Sequence, residues 1–171
     1  LQSGRRLPYS IQFAFQTTGA RFFTIEDLRA GQALASDFTG EGWRSYLGFE
    51  DIPILSLHEA GKRLALLAQE TDLFLFDYWQ TDIVGHRGSM NVAIDTIERL
   101  DAVIGGIIAS WSETDGLIVI VSDHGNLEDK TTRRHTCNKV PVLLFGDGHS
   151  GVASAINDLT DIAPALIEYL G

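Results

Sequence analysis

Five side chains able to bind a cation fall in three short clusters in the second half of the sequence. Asp82 and His86 lie in Thr81-Asp82-Ile83-Val84-Gly85-His86. Asp123 and His124 lie in Ser122-Asp123-His124-Gly125-Asn126, and His135 opens His135-Thr136-Cys137-Asn138-Lys139-Val140-Pro141. Carboxylate and neutral imidazole are the donors that borderline divalent ions such as zinc and manganese accept. Three of the five histidines fall in these clusters. The other two, His58 and His149, stand at a helix start and in a Gly-rich turn and read as structural or solvated. Taken singly, each cluster has a plainer alternative. Asp-x-x-x-His also suits a capped turn with a surface His, and Asp-His-Gly after a strand also suits an Asx turn. His135, after Arg133 and Arg134, also suits a solvated loop.

The elements around these clusters follow from periodicity and end signals. Asp72 to Tyr78 is a near-continuous apolar run, as a buried strand requires, and Leu117 to Val121 is another. Lys139 to Phe145 reads as a third strand. Ser89 to Trp111 repeats apolar residues at helical spacing and predicts a long helix, with a turn at Thr114-Asp115-Gly116 after it. Thr24 and Ser56 each stand three residues before a carboxylate, which predicts helices over about 24–35 and 56–70. Residues 9–15 read as a short strand. Residues 37–53, rich in Gly and aromatics, read as a long loop. Thr160 to Leu170 closes the chain as a helix, with Pro164 tolerable in its first turn.

Strands buried on both faces and alternating with helices predict an α/β fold, with a mostly parallel sheet flanked by helices. Such sheets present the carboxyl ends of their strands on one side, where ligands bind. The three clusters should therefore meet at one sheet edge, two of them in loops after the strands at 73–78 and 117–121.

The combined pattern resembles the alkaline-phosphatase superfamily, closest to its cofactor-independent phosphoglycerate mutase branch. In that branch one strand leads to Asp-x-Val-Gly-His, here Asp82 to His86. The next leads to Asp-His-Gly-Asn, here Asp123 to Asn126, and His-Thr-x-Asn-x-Val-Pro follows, here His135 to Pro141. Leu159 to Pro164 is similar to the closing helix. The likeness covers roughly residues 70–171, the motif-bearing part of what reads as a single domain over 1–171 or the C-terminal portion of one.

The resemblance implies that Asp82, His86 and His135 hold one metal, and that Asp123 and His124 hold a second. Gly85 and Gly125 would let the backbone turn tightly between ligands. Two ions in the intact protein would serve metal-dependent phosphoryl or related ester transfer, of phosphohydrolase or phosphomutase type, on a small phosphorylated or sulfated substrate. Position 87 departs from the mutases, which commonly carry Thr there. Arg87 is a candidate fork for a phosphate, or a solvated loop residue. The family also places an Asp ligand and a Ser or Thr nucleophile early in the chain. No strand ending in Asp-Gly precedes residue 70, and Ser10, Thr17 and Thr18 lack that context. The expectation is a fold incomplete on its N-terminal side, an incomplete second site, one ion or none in this chain, and little activity from the chain alone. The alternative is a non-catalytic metal-binding or interaction domain derived from the same fold.

Composition narrows the partners. A net charge of −10 argues against nucleic acid, which asks for a basic patch. No apolar run nears the roughly 18 residues of a spanning helix, and no signal peptide opens the chain, so the cytoplasm is the expected compartment. A single cysteine, Cys137, leaves no internal disulfide framework. The chain opens on Leu1 without an initiator Met.

Overall fold

The computed structural model describes residues 14, 17–19, 21–112 and 116–171. The strand expected over 9–15, residue 14 excepted, and residues 114 and 115 of the expected turn lie outside them. Thr24 caps α1 (Ile25–Arg29) through a capping box: its N–H donates to Asp27 Oδ2 at 2.7 Å, and Asp27 N–H donates to Thr24 Oγ1 at 3.4 Å. Arg21 pairs with the same carboxylate. The helix ends well short of residue 35. Where a long loop was expected, α2 (Glu41–Leu47) forms instead. The Asp37 carboxylate starts it by accepting the N–H groups of Gly40 and Gly42 at 2.9 and 2.6 Å.

Ser56 and Glu59 form a second capping box at the head of α3 (Leu57–Ala68). Ser89 caps the long helix α5 (Met90–Ile108), and α4 (Gln80–Arg87) precedes it. Helices α3 and α5 approach closely because a Cβ at Gly61 would strike the Val103 carbonyl, and one at Gly106 the His58 carbonyl. Their contact buries Ala60, Leu64 and Val103 together with Phe38. Phe76 and Tyr78 stack on Phe38 with ring centroids 5.5 and 4.5 Å apart.

The expected strand at 72–78 has no ladder among the described residues. Its side chains still alternate. Phe74, Phe76 and Tyr78 face the α3–α5 core, while Leu73 and Leu75 are exposed. Strands β1 (Leu117–Val121) and β2 (Val142–Gly146) form the one sheet among the described residues, and they run antiparallel, from Leu117 opposite Gly146 to Val121 opposite Val142. The mostly parallel arrangement expected from the sequence is therefore not what this ladder shows. A parallel pair needs a crossover, usually a helix, and no helix lies between residues 121 and 142. A short helix α6 (His149–Ala155), a 3₁₀ turn (Leu159–Asp161) and α7 (Ile162–Leu170) close the chain. An apolar cleft of about 180 Å³ separates α5 from the hairpin, with Ile104, Ile108, Ile118 and Ile120 among its walls. No described helix is long and apolar enough to cross a membrane.

Candidate metal centre

Asp82 and His86 lie on α4, not in the loop expected for them. The helix places them four residues apart, hence on one face and one turn from each other. His86 Nε2 lies 3.3 Å from Asp82 Oδ1. The other ligands come from the connection between β1 and β2. Because the two strands are antiparallel, the residues that leave β1 and those that enter β2 share one end of the hairpin. His124 and His135 meet there, with ring centroids 3.5 Å apart and 17° between their planes.

The ring nitrogens converge on one oxygen. His135 Nε2 lies 3.3 Å from Asp82 Oδ1, His86 Nε2 lies 3.1 Å from His135 Nε2, and His124 Nε2 lies 4.0 Å from Asp82 Oδ1. Ligand atoms of Asp82, His86 and His135 all fall within 4.8 Å of one another. Metal–ligand bonds of about 2.0–2.1 Å in a tetrahedral zinc site set neighbouring ligand atoms about 3.3 Å apart, so the observed spacings suit a shared cation. The tautomer suits one too. His86 Nδ1 lies 2.6 Å from the Arg133 carbonyl, which can only accept, so Nδ1 carries a proton and, in the neutral ring, the Nε2 lone pair faces the cluster.

Asp123 stands apart from this group. Its side chain is 83% exposed, and its Oδ2 lies 3.5 Å from His124 Nε2. The pair thus stands at the exposed side of the cluster. His124 Nδ1 is buried with no hydrogen-bond partner among the described residues. Arg87 ends α4, exposed, and no ion pair holds it among the described residues. His58 lies in α3, and His149 Nδ1–H donates to the Gly146 carbonyl at 2.9 Å; neither joins the cluster.

A polar frame that the sequence reading left without a role carries the loop. Glu128 accepts the Asn126 N–H at 2.6 Å, the Asn138 amide at 2.9 Å and the Thr136 hydroxyl. The Thr136 and Asn138 donors hold its carboxyl down at about 2. Thr136 N–H donates to the Gly125 carbonyl at 2.9 Å and closes the base of the loop. Lys130 Nζ donates to the Val84 and Gly85 carbonyls at 2.8 and 2.7 Å, a cation at the negative end of α4. Gly85 is not at a tight turn as expected. It is buried inside α4, where a Cβ would fall on the Asn126 side chain. The signal available in the sequence was the trio of hydrogen-bonding side chains beside the ligands, Asn126, Glu128 and Thr136.

Residues 56–171 match the model of the metalloenzyme superfamily. The chain belongs to that superfamily. Its members share an alkaline-phosphatase-like α/β fold, and the family implies divalent-metal binding. A 2,3-bisphosphoglycerate-independent phosphoglycerate mutase of Rhodopseudomonas palustris is 35% identical over 127 residues, covering 69% of this chain and 25% of that protein. The like-named protein of Thiobacillus denitrificans is 33% identical over 128 residues, covering 70% and 25%. That of Desulforudis audaxviator is 29% identical over 125 residues, with the same coverage of 70% and 25%. This superfamily member therefore spans about a quarter of the length of the curated relatives it matches. No solved structure matches it.

Proposed function

We propose that the chain carries the divalent-cation centre of a phosphoryl-transfer enzyme, a phosphatase or phosphomutase in type. Asp82, His86 and His135 hold one zinc or manganese ion, and Asp123 with His124 contribute to a second that needs further ligands. The observation that supports this most is the meeting of Asp82 Oδ1, His86 Nε2 and His135 Nε2 at 3.1–3.3 Å, with His86 already in the metal-ready tautomer. A bound ion would supply positive charge and Lewis acidity beside an anionic ester oxygen. The chain's own residues orient and frame that place. The Arg133 carbonyl fixes the His86 ring, Lys130 fastens the loop to α4, and Arg87, Arg133 and Arg134 put cations near the rim of a chain with net charge −10. That local basic rim favours a small phosphorylated or sulfated substrate. The relatives' names favour mutase chemistry on a phosphorylated substrate.

The same reading treats residues 1–171 as one domain, or the C-terminal portion of one, working in the cytoplasm. It treats 73–78 as a strand of a mostly parallel sheet, with the 117–121 strand beside it or one strand away. The wide exposure of Asp123 favours, as a second reading, a metal-binding domain without catalysis.

Elemental analysis after dialysis against trace zinc or manganese tests the centre. About one equivalent per chain is expected, from three protein ligands and an open position. Assay of the metal-loaded chain with an aryl phosphate tests whether the chain holds a nucleophile of its own. Little or no turnover is expected from these 171 residues. Robust turnover that His86→Ala abolishes would place a nucleophile inside the chain and return attention to Thr17 and Thr18. An ion-free native chain would remove the centre altogether.

A further inference from the structure

Asn126 is the most deeply buried polar residue beside the cluster, only 4% exposed. Its Nδ2 donates to Asp82 Oδ1 at 2.8 Å and lies 3.4 Å from the Asp82 carbonyl oxygen. Its backbone N–H is held by Glu128 at 2.6 Å. The residue is thus fixed by the loop on one side and grips α4 on the other. Gly85 makes that grip possible, since any side chain there would occupy the place of the Asn126 amide.

We infer that Asn126, seated against Gly85, is a positioning residue for Asp82 and sets the affinity of the cation centre; the inference rests on the metal-centre reading above. Asp82 is 41% exposed and stands in the first turn of α4, where nothing but a partner would choose its carboxylate rotamer. The oxygen that Asn126 grips is the one facing His86 and His135 at 3.3 Å. The chemistry of the donor matters. An amide is neutral, so it fixes the carboxylate and leaves the negative charge for a cation. A lysine would bring its own charge and compete with the ion. Outer partners of metal ligands commonly alter affinity about 10–100-fold when lost. Gly85 and Asn126 should then act as one unit, because a Cβ at residue 85 displaces the amide just as truncation removes it.

The test compares zinc affinity, by competition with a chromogenic chelator, and the cobalt(II) visible spectrum across the native chain, Asn126→Ala, Asn126→Leu, Gly85→Ala and the Asn126→Ala/Gly85→Ala double variant. Circular dichroism of the ion-free proteins checks that each is folded. Asn126→Leu keeps the side-chain shape without the donor and carries the test should the truncation fail to fold. Affinity is expected to fall about 10–100-fold in each single variant, with an altered cobalt spectrum and little further loss in the double variant. Folded Asn126→Leu or Asn126→Ala with native affinity and an unchanged spectrum would overturn the positioning role. A native chain that binds neither ion would instead overturn the metal-centre reading and the inference with it.

Discussion

The two ends of the α4–α5 region are held together by different forces. Away from the site, α3 and α5 meet through backbone contact at Gly61 and Gly106 and a core of Ala60, Leu64, Val103 and Phe38. At the site, α4 and the β1–β2 connection meet through hydrogen bonds: Asn126 to Asp82, Lys130 to the Val84 and Gly85 carbonyls, and His86 to the Arg133 carbonyl. Apolar packing is non-directional and tolerates small adjustments of angle. Hydrogen bonds fix atoms, which a ligand set needs and a core does not. Stability should therefore reside mainly in the first region and ion affinity mainly in the second, and substitutions can separate the two.

The largest separation is expected from His135→Ala. It removes one of the three converging ligand atoms, so the ion retained after dialysis should fall from about one equivalent to near none, while the thermal midpoint of the ion-free chain stays near native. A large fall in that midpoint would show that the histidine cluster also carries the fold. Gly61→Val probes the opposite end. Its side chain must push α3 away from the Val103 carbonyl, and overpacking of this kind costs about 1–3 kcal/mol. Denaturant unfolding should report that loss, with zinc affinity unchanged. Ser56→Ala removes the cap of α3 and should cost about 1 kcal/mol, again without effect on the ion. Its read-out is the same denaturant midpoint.

The smallest effect is one of pH. The folded-state carboxyl of Glu128 sits near 2, below its ordinary 4.5, so its ionised form is favoured by folding. That contribution is complete above the ordinary value and is lost as pH falls from about 4.5 through about 2. Glu128→Gln lacks it. The stability gap between native chain and variant should be constant near neutrality and close on acidification across that window. A gap that persists at pH 2 would mean that shape rather than charge makes Glu128 useful.

Much of this arrangement was legible from residue order. The capping pairs Thr24/Asp27 and Ser56/Glu59, the long helix after Ser89 and the strand at 117–121 all declare themselves locally. The motifs brought Asp82, His86 and His135 into one frame, and the structure sets their ligand atoms together. Helix α4 was harder to see, because an internal glycine costs a helix about 1 kcal/mol relative to alanine, and the reason for Gly85 is a contact with Asn126, 41 positions later. Helix α2 hid among aromatics and glycines because the side chain that starts it, Asp37, lies outside it. The run at 72–78 was expected as a buried strand; among the described residues it joins no ladder and leaves Leu73 and Leu75 exposed, and an apolar run by itself names no pairing partner. The direction of the β1–β2 pair was not read from the sequence, and the mostly parallel sheet expected there is not shown by this ladder. The absence of a helical pattern between 121 and 142 was the available clue, and it favours an antiparallel return.

That return has an uneven geometry. Four steps lead from Val121 out to Gly125, yet six lead from Thr136 back to Val142, although both ends of each arm are paired across the hairpin. The inbound arm therefore carries two surplus residues, and a longer outer arm forces a ribbon to curl toward its shorter side, as a bulge does on a smaller scale. Within this unequal frame His135 meets His124 with ring centroids 3.5 Å apart. Removing two residues from the stretch 139–141 would equalise the arms and straighten the ribbon. Every ligand residue would remain in the chain, and the contact between the His124 and His135 rings is the one expected to change.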